Sequence, residues 1–578
     1  MIKLTNTQHI IHGRIVIGAV IMITMTLLII WQYAHLTINQ SQHFSQLSNN
    51  NFNKGTPIIP PRGSIYDRNM HVLAKDEYSH YIVITKDDTR PFSVIKNDLS
   101  AIIQTQWKSL EKEYNDAAQG AEITLPQSLS KEQYTQLALN MWSLPHMHFN
   151  ETMNRTYPFG ASSAHMTGYT HKSEQHIVGK NGIELTFNEH LSGELGWMKM
   201  TKNARGKVQN QSEIIPAIPG MDVQLTIDAP LQQAVHNIMS KYQGTAILVS
   251  TRTSEILAAV SLPSFDPNHP FEKTNTAHSF YNRVTHGLYP PASTVKPFIA
   301  LEALHQNIIN TDTTIQDPGY YITPNGSHRY NDWLKHGHGT VDIHKAIAIS
   351  CDTFFYHLAE KMGAYQLSHA MSQFGLGQKT FIELPNEKSG LVPSPSWKSM
   401  LGQKWYLGDS INTGIGQGAT QVTPIQLAQA TVLLANQGQG KKIHLTKALM
   451  DQGQWHVPSI DDAPPVQFDK KTWDVVNHAL IDVVRSGTGH RFKKNPHHVA
   501  GKTGTAQVVS MKNQTDNNTN SHDHSLFIGY APFENPEVAI VVVLEHNPLA
   551  VAAANDIINV YFKNDANHES KSNQKRPL

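Results

Sequence analysis

The chain has 578 residues, which at about 150 residues per domain corresponds to roughly two to four domains. Hydrophobic residues make up 39% and charged residues 16%, so the chain can form packed cores and is not mainly disordered. Lys and Arg number 47 and Asp and Glu 46, and this net charge of +1 leaves no basic excess for binding nucleic acid. The single Cys excludes an intramolecular disulfide and any metal site built on several thiolates.

The N-terminal segment predicts a membrane anchor. An uncharged apolar run followed by interfacial aromatics covers residues 15–36, about the length that crosses the hydrocarbon layer. Lys3 and Arg14 precede this run, so we expect residues 1–14 in the cytoplasm and the large remainder outside. A cleaved signal peptide is the alternative, but the run is longer than a signal core and no small-residue cleavage site follows it.

The rest of the chain has an α+β pattern. A mixed segment at 37–220 ends in a proline- and glycine-rich linker at 216–220, and beyond it strands bracket a long, mostly helical middle. Strands are predicted at 223–228, 246–250, 256–261, 525–530 and 538–545, and a helix at 550–562. The second and third strands are separated by a short polar turn and are predicted to form a hairpin. Two low-complexity segments, 511–524 and 564–578, are predicted to be mobile.

Three short motifs follow one another along the chain: STVK at 293–296, SCD at 350–352 and KTGT at 502–505. Each string alone arises by chance, and a helix start with a serine cap and a surface lysine would explain the first. The trio in this order is typical of enzymes that form a serine acyl-enzyme. A serine hydroxyl needs a base, and on a helix Lys296 lies one turn beyond Ser293. Burial and a nearby positive charge such as Lys502 would help Lys296 to act as that base.

With these motifs, the chain resembles the class B penicillin-binding proteins, which are monofunctional peptidoglycan D,D-transpeptidases. The resemblance runs from RGSIYDRN at 62–69 to the last strand, and includes GIGQG with TPIQLA at 414–428 and SGTG at 486–489. It departs at Met70 and Ala292, where the family commonly has glycine. Neither departure affects a reacting atom. The GIGQG stretch lacks the Lys-Ser/Thr of a phosphate-binding loop and is predicted to be a tight turn near the active site.

The resemblance implies a fold and a subgroup. The sequences at 317–339, 350–359 and 405–418 are similar to the members that elongate the lateral wall rather than to the septal members. The implied architecture is α+β, with a transmembrane helix, an elongated non-catalytic pedestal at 37–220 and a transpeptidase domain at 221–563. That second domain would contain a five-stranded antiparallel sheet sandwiched by helices. In the pedestal, Arg62, Asp67 and Arg68 are alternative candidates for catalysis, but the resemblance places them in a charged, hydrogen-bonded core between the lobes.

The resemblance also implies partners and a location. The substrates would be peptidoglycan stem peptides, and β-lactams would react at the same serine. The pedestal would bind a SEDS-family glycosyltransferase of the RodA type and the scaffold MreC. The protein would be a single-pass protein of the inner membrane, with the N-terminus in the cytoplasm and the catalytic domain in the periplasm.

Residue roles follow from the resemblance. Ser293 would attack the carbonyl between the two terminal D-alanines of a donor stem peptide, with Lys296 as its general base. Ser350 would relay a proton toward the leaving amine. Asp352 would orient Ser350 and Lys296 through hydrogen bonds.

The third motif would bind the substrate. Lys502, Thr503 and Thr505 would hold the substrate carboxylate, and Gly504 would let the substrate lie close to the strand. The backbone N–H groups of Ser293 and Thr505 would form the oxyanion hole.

The single cysteine belongs to a candidate zinc site. Four residues would supply the S, O, O and N donors that tetrahedral Zn²⁺ accepts: Cys351, Asp317, Asp332 and His338. The resemblance supports this site, since members of the elongation subgroup can carry zinc at matching positions. From spacing alone, His328 and His336 are competing ligands, and a buried inert cysteine beside a polar loop is the alternative.

Three other functions stay open at this point. The chain could be the septal transpeptidase, or a β-lactamase or β-lactam sensor on the same fold. Fast deacylation would mark a lactamase, and a sensor would need a cytoplasmic module larger than residues 1–14. A non-catalytic regulator acting through the pedestal is the third alternative, although the intact motifs argue against an inactive enzyme.

Overall fold

A computed structural model of the protein describes residues 3–35, 53–172, 177–202, 208–272, 278–507 and 522–573. Most of the low-complexity segment predicted at 511–524, and the last residues of the predicted tail, lie outside these ranges. The chain divides into two compact units, Met1–Pro60 with Gly193–Pro219, and Pro61–Ser192 with Gly220–Leu578. The domain boundaries drawn from the sequence at 36, 220 and 563 stay a prediction.

The strands of the described residues are β1 Asn53–Ile58, β2 Ile65–Tyr66, β3 Val72–Thr85, β4 Glu122–Thr124, β5 Met147–Thr156, β6 Thr170–Lys172, β7 Ile177–Gly179, β8 Gly196–Lys202, β9 Val208–Ile215, β10 Val223–Leu225, β11 Gly244–Ser250, β12 Ile256–Leu262, β13 Ile315–Asp317, β14 Tyr320–Ile322, β15 Arg329–Asn331, β16 Gly339–Val341, β17 Thr446–Asp451, β18 Gln454–His456, β19 Ala500–Ala506, β20 His524–Ala531 and β21 Val538–Leu544.

The α-helices of the described residues are α1 Lys3–Ala34, α2 Phe92–Ser100, α3 Trp107–Asp116, α4 Lys131–Asn140, α5 Ala164–Thr167, α6 Gly182–Thr186, α7 Asn188–Ser192, α8 Ala229–Met239, α9 Arg283–His286, α10 Lys296–His305, α11 Ile343–Ala348, α12 Asp352–Ser372, α13 Pro395–Met400, α14 Leu407–Gly414, α15 Pro424–Ala435, α16 Lys470–Arg485 and α17 Ala550–Asn573. Short 3₁₀ turns occur at Met141–Ser143, Gly160–Ser162, Ala292–Val295 and His490–Phe492.

The first unit contains helix α1 and a three-stranded antiparallel sheet in the order β1-β8-β9. Within the part of the chain that the structure describes, no helix meets the length and apolar character required of a membrane span. The transmembrane anchor at 15–36 therefore stays a prediction.

The centre of the second unit is a five-stranded antiparallel sheet in the order β12-β11-β21-β20-β19. Strand β21 shows why this sheet is sandwiched: Ile540 and Val542 face one hydrophobic core, and Val541 and Val543 face the other. A strand buried on both faces is a continuous β-branched run rather than an alternating one. Helix α15 packs on one side of the sheet, and helices α8 and α17 pack on the other.

This sheet confirms four of the five strands predicted from the sequence. The predicted hairpin is β11–β12, and the two C-terminal strands are β20 and β21. The strand predicted at 223–228 ends at Leu225, because the Asp228 side chain accepts a hydrogen bond from Leu231 N and begins helix α8. The C-terminal helix continues past the predicted end to Asn573, into the segment expected to be a mobile tail.

A second sheet of the same unit joins pedestal strands to strands beyond residue 220. Its order is β18-β17-β10-β2-β3-β4, with β5 also paired to β3, and β2 and β10 run parallel. Next to it, Arg62 Nε donates to Glu184 Oε2 at 2.6 Å, and Arg155 Nε donates to Glu184 Oε1 at 2.8 Å. Arg155 also pairs with Asp76 at 3.1 Å, so each buried charge has an opposite partner.

The rest of the RGSIYDRN segment reaches the C-terminal part of the unit. The buried Asp67 carboxylate accepts a hydrogen bond from Ala229 N at 3.0 Å, at the start of helix α8. Arg68 forms an ion pair with Glu255 at 3.2 Å. The charged, hydrogen-bonded core is therefore confirmed for Arg62 and Asp67, whereas Arg68 forms its ion pair at a partly exposed position.

Two residues that replace the family's usual glycines occupy left-handed backbone conformations. Met70 has φ 68° and Ala292 has φ 49°. In this region the Cβ of an L-residue crowds the backbone, which costs roughly 1–2 kcal/mol. The two departures that the sequence shows are thus positions of local backbone strain.

We predict that the variant Met70→Gly is more stable than Met70→Ala by about 1 kcal/mol, because only glycine adopts positive φ without a Cβ penalty. Met70 is 46% exposed, so both variants lose little packing. The measurement is the thermal unfolding midpoint of the two proteins.

The control pair is Lys96→Gly and Lys96→Ala, at an exposed position inside helix α2. There the order reverses, since glycine in a helix interior is about 1 kcal/mol worse than alanine. Equal midpoints for the two Met70 variants would contradict the strain assigned to this turn.

Candidate active site

The STVK motif lies at the start of a buried helix. The turn Ala292–Val295 leads directly into helix α10, and prolines stand at positions 291 and 297, before the turn and in the first turn of the helix. Ser293 is half-buried at this helix entrance, and Lys296 follows one turn later. Nearly all of α10 is buried, so the nucleophile candidate stands on a rigid element.

The amino group of Lys296 joins the first two motifs. The side chain is 0% exposed, and Nζ donates to Asp352 Oδ1 at 2.6 Å, to Ser350 O at 3.0 Å and to Ser350 Oγ at 3.4 Å. Its nitrogen also lies 5.1 Å from the centre of the Phe355 ring. Within the described residues, no hydrogen bond joins the Ser293 hydroxyl to Lys296, so the lysine is fully engaged by the second motif.

Ser350 has a strained backbone. Its φ is 60°, and its N–H donates to Ile347 O at 3.3 Å. This conformation presents both the carbonyl and the hydroxyl of Ser350 to Lys296. A non-glycine residue held at positive φ beside a reactive group is a frequent feature of active sites.

Lys502 brings the third motif to the same place. Its side chain is 0% exposed in strand β19, and Nζ donates to Thr503 O at 3.2 Å. Burial holds the pKa of Lys502 well below its usual range, and the positive charge of Lys296 lowers that pKa further, against the opposing effect of Asp352. The three sequence motifs thus meet around two buried amines and one carboxylate.

Two contacts near the third motif were not predicted from the sequence. Thr503 Oγ1 lies 2.6 Å from Thr488 Oγ1, in the SGTG stretch that served only as a family match. Gln417 Nε2 donates to Thr505 O at 3.2 Å. Gln417 is 88 residues from Thr505 and Thr488 is 15 residues from Thr503, and only the match to the family's GIGQG and SGTG stretches could have drawn attention to them.

The glycine-rich stretch is a tight turn beside the active site, as predicted. Gly416 and Gly418 have positive φ, and Gly416 O accepts a hydrogen bond from Ala292 N at 2.9 Å. A Cβ at Gly416 would lie only 2.3 Å from Ala292 O, so glycine is needed for this close approach. The turn therefore supports the segment that carries Ser293.

Gly504 has a packing reason independent of substrate. A Cβ added there would lie 3.0 Å from Thr294 Cγ2 and 3.2 Å from Pro291 O. Thr294 Oγ1 in turn donates to Pro291 O at 2.6 Å. Strand β19 thus packs against the turn of the nucleophile candidate at the one position of KTGT that has no side chain.

The four residues predicted to bind zinc lie together. Their candidate ligand atoms are all within 4.8 Å of one another: Asp317, Asp332, His338 and Cys351. His338 Nδ1 lies 2.7 Å from Asp317 Oδ2 and 3.6 Å from Asp332 Oδ1, and Cys351 Sγ lies 3.5 Å from Asp317 Oδ2. The competing histidines His328 and His336 are exposed and do not belong to this cluster.

The donor set and its charges fit a divalent cation. The carboxylates of Asp317 and Asp332 are buried and face the imidazole of His338. In the described residues, neither carboxylate forms an ion pair with Lys or Arg. Two carboxylates against one imidazole leave the cluster with a net negative charge. Burial raises the pKa of the Cys351 thiol, and Asp332 raises it further. Burial also tends to raise the pKa of Asp317, but the polar groups of Thr353 and Gly319 help to outweigh it and lower that pKa. An added positive charge would stabilise the two carboxylates and the thiolate form of Cys351.

The cluster is linked to the second motif. Asp332 Oδ2 accepts a hydrogen bond from Thr353 N at 2.9 Å, and Cys351 Sγ accepts one from Phe354 N at 3.4 Å. Both N–H groups belong to the first turn of helix α12, which begins at Asp352. The loop at 317–339 is therefore tied to the helix that carries the carboxylate partner of Lys296.

Two protein families match the chain. The penicillin-binding protein transpeptidase domain matches residues 244–562, and the penicillin-binding protein dimerisation domain matches residues 57–225. Together the two matches span most of the chain.

Curated relatives and solved structures agree with this match. The chain is 33% identical to the peptidoglycan D,D-transpeptidase MrdA of Acinetobacter baumannii, over 95% of this chain and 86% of that protein. It is 35% identical to MrdA of Haemophilus influenzae, over 86% of this chain and 83% of that protein. Among solved structures, penicillin-binding protein PBP2 of Helicobacter pylori in complex with MreC has a TM-score of 0.71 and 26% identity, covering 88% of this chain and 98% of that one.

Proposed function

Because the chain belongs to the penicillin-binding proteins, we propose that its three motifs perform serine acyl transfer on stem peptides. The chain is a serine-type peptidoglycan D,D-transpeptidase of rod-shape elongation. The observation that carries the proposed mechanism is the buried Lys296 amino group, which lies between Asp352 and Ser350 and one turn beyond Ser293.

In the acylation step, Ser293 Oγ attacks the carbonyl carbon between the two terminal D-alanines. Lys296 first gives up one ammonium proton to solvent, and the neutral amine then takes the hydroxyl proton of Ser293 as its hydrogen bonds to the second motif loosen. Ser350 then carries a proton to the nitrogen of the departing D-alanine, while Asp352 holds the relay in place. The ester to Ser293 forms, the peptide C–N bond breaks, and D-alanine leaves as the amine.

The substrate is held by strand β19. Thr503 and Thr505 bind the terminal carboxylate, and Lys502 supplies positive potential from a desolvated position. The N–H groups of Ser293 and Thr505 stabilise the oxyanion. Because Gly504 has no side chain, strand β19 packs closely against the turn that carries Ser293. This packing positions both the carboxylate-binding residues and the N–H groups that stabilise the oxyanion.

The second half-reaction transfers the acyl group. An amine of a neighbouring stem peptide attacks the ester carbon, the C–O bond to Ser293 breaks, and the proton returns to the serine oxygen. A β-lactam amide is attacked in the same way, and the ring-opened drug stays bound to Ser293.

We also propose one structural zinc ion in the cluster formed by Asp317, Asp332, His338 and Cys351. The acidic charge of the cluster and its buried sulfur, nitrogen and oxygen donors support this assignment. A bound ion supplies positive charge that holds the loop at 317–339 to helix α12, and it takes no part in acyl transfer.

For localisation, we propose that residues 15–36 anchor the protein in the inner membrane, with the catalytic domain in the periplasm. The large apolar side chains of helix α1 support this, because those from Val20 to Tyr33 are each more than half exposed. The pedestal would bind MreC, since PBP2 of Helicobacter pylori forms a complex with MreC. A SEDS glycosyltransferase of the RodA type is the other proposed partner.

We expect that incubation of the full chain with benzylpenicillin adds one drug mass, measured by intact-protein mass spectrometry. The Ser293→Ala variant acquires no adduct, because it lacks the hydroxyl that attacks the drug from the entrance of helix α10. Ser100→Ala, at an exposed pedestal position, is the matched control and is acylated normally.

An unmodified wild-type protein with intact drug would contradict the acylation mechanism and favour a regulatory role. An unmodified protein with hydrolysed drug would indicate a β-lactamase.

We expect about one zinc ion per purified chain, measured by elemental mass spectrometry, since the four donors complete a tetrahedral set. Cys351→Ser and Asp332→Asn lose most of this zinc, and a chelator lowers the unfolding midpoint of wild type but not of these variants. His336→Gln is the control that keeps the metal. Wild-type protein free of zinc after expression in zinc-supplied cells would refute the site.

We expect the full chain to sediment with membranes after a carbonate wash, and a variant lacking residues 1–36 to remain in the supernatant. The truncated protein is acylated by penicillin and retains MreC in a pull-down, because both activities are assigned to parts beyond residue 36. Sedimentation of both proteins alike would argue against the anchor, and loss of MreC binding alone would argue against the pedestal assignment.

A further inference from the structure

Trp333 is a large apolar side chain that is exposed and yet fixed in position. Its side chain is 55% exposed, on the loop between strands β15 and β16. The indole Nε1 donates to Ile349 O at 3.2 Å, and the ring lies 5.2 Å from the His338 ring, centre to centre. The preceding residue, Asp332, is buried and bound to Thr353 N. The indole is thus held in one orientation with a free face toward solvent.

The position of this indole relative to the motifs is specific. Ile349, which accepts its hydrogen bond, directly precedes Ser350, and Ser350 contacts the amino group of Lys296. In the proposed reaction, Ser350 passes the proton to the departing amine. By microscopic reversibility, the attacking amine of the second substrate occupies the place that the departing amine has left. The acceptor amine therefore comes to Ser350, the residue that directly follows the indole's hydrogen-bond partner Ile349.

The geometry points to Trp333 as the residue that binds the aliphatic arm of the acceptor amine. The inference rests on the proposed function and identifies the second substrate's contact. An acceptor that carries a primary amine on a chain of methylene groups presents apolar surface to an indole face. Its ammonium form is also attracted to that face before deprotonation.

The step is balanced without any further reactant. The acceptor ammonium gives up one proton to solvent on entering the site. Its nitrogen bonds to the acyl carbon while the ester C–O bond to Ser293 breaks. The second proton of the nitrogen passes through Ser350 and Lys296 to Ser293 Oγ. Trp333 exchanges no proton and acts on binding alone.

The test separates acylation from transfer in the full chain. A thioester analogue of the donor, ending in D-alanyl-thioglycolate, acylates the enzyme. Two acceptors compete with water for the acyl-enzyme: a tripeptide whose last residue is a diamino acid with a free side-chain amine, and D-alanine, which has no such arm. In Trp333→Leu, we expect the ratio of transfer to hydrolysis to fall about tenfold for the tripeptide. The ratio for D-alanine should change less than about twofold, because D-alanine has no arm to lose the contact.

The controls show whether the local structure is intact. Trp333→Leu and Trp333→Phe both lose the Nε1 bond to Ile349 O, so any effect of that bond on acylation by benzylpenicillin is common to both, and we expect their acylation rates to agree within about twofold. Trp333→Phe, which keeps an aromatic face but loses the Nε1 donor, retains most of the transfer. Tyr365→Leu removes another well-exposed aromatic ring from the far part of helix α12 and changes neither ratio.

Equal losses of acylation and of both transfers in Trp333→Leu would overturn the inference, since the indole would then only support the fold. An unchanged tripeptide ratio would also overturn it. Failure of the wild-type chain to become acylated by either donor would instead refute the proposed mechanism, and the role of Trp333 with it.

Discussion

The structure of the active site depends on one buried amino group. Lys296 has no access to water, and its nitrogen satisfies its hydrogen-bonding capacity with Asp352 and with two oxygens of Ser350. Burying an ammonium group without such partners would carry a large desolvation free energy. The second motif must therefore lie where its oxygens can accept hydrogen bonds from Lys296. Lys502 is buried in the same place, and this burial, together with the positive charge of Lys296, lowers its pKa against the opposing effect of Asp352. The site therefore holds two buried amines beside one carboxylate.

The acidic cluster explains how the second motif stays in place. Asp332 and Cys351 accept hydrogen bonds from N–H groups in the first turn of helix α12. The other two members of the cluster, His338 and Asp317, contact each other through Nδ1 and Oδ2. The exposed Trp333 lies on this loop, and its indole is bonded to the residue before Ser350. Anything that loosens the loop thus acts on Ser350 and on Lys296, although no atom of the cluster belongs to the reaction.

The sequence predicted the parts of the fold that rest on local patterns. The apolar runs of β11, β12, β20 and β21 were sufficient to predict four of the five strands of the central sheet, and the order of the three motifs was sufficient for the candidate nucleophile. Strand β19 was not predicted, because KTGT has neither alternation nor bulky residues, and only its pairing with β20 makes it a strand. The contact of Thr503 with Thr488 depends on tertiary packing that spacing along the chain does not encode, and the four cluster residues could be grouped only through the family resemblance.

Three residues with positive φ, Ala292, Met70 and Ser350, differ in what compensates for their backbone strain. Ala292 at φ 49° buries its methyl group in the main core, and burial of one carbon contributes about 0.8 kcal/mol, which offsets much of the left-handed cost. Met70 at φ 68° is half exposed and has no such compensation. Ser350 at φ 60° has a different reason, because glycine would remove the hydroxyl that contacts Lys296. The strained backbone at Ser350 is therefore explained by the chemistry of its side chain.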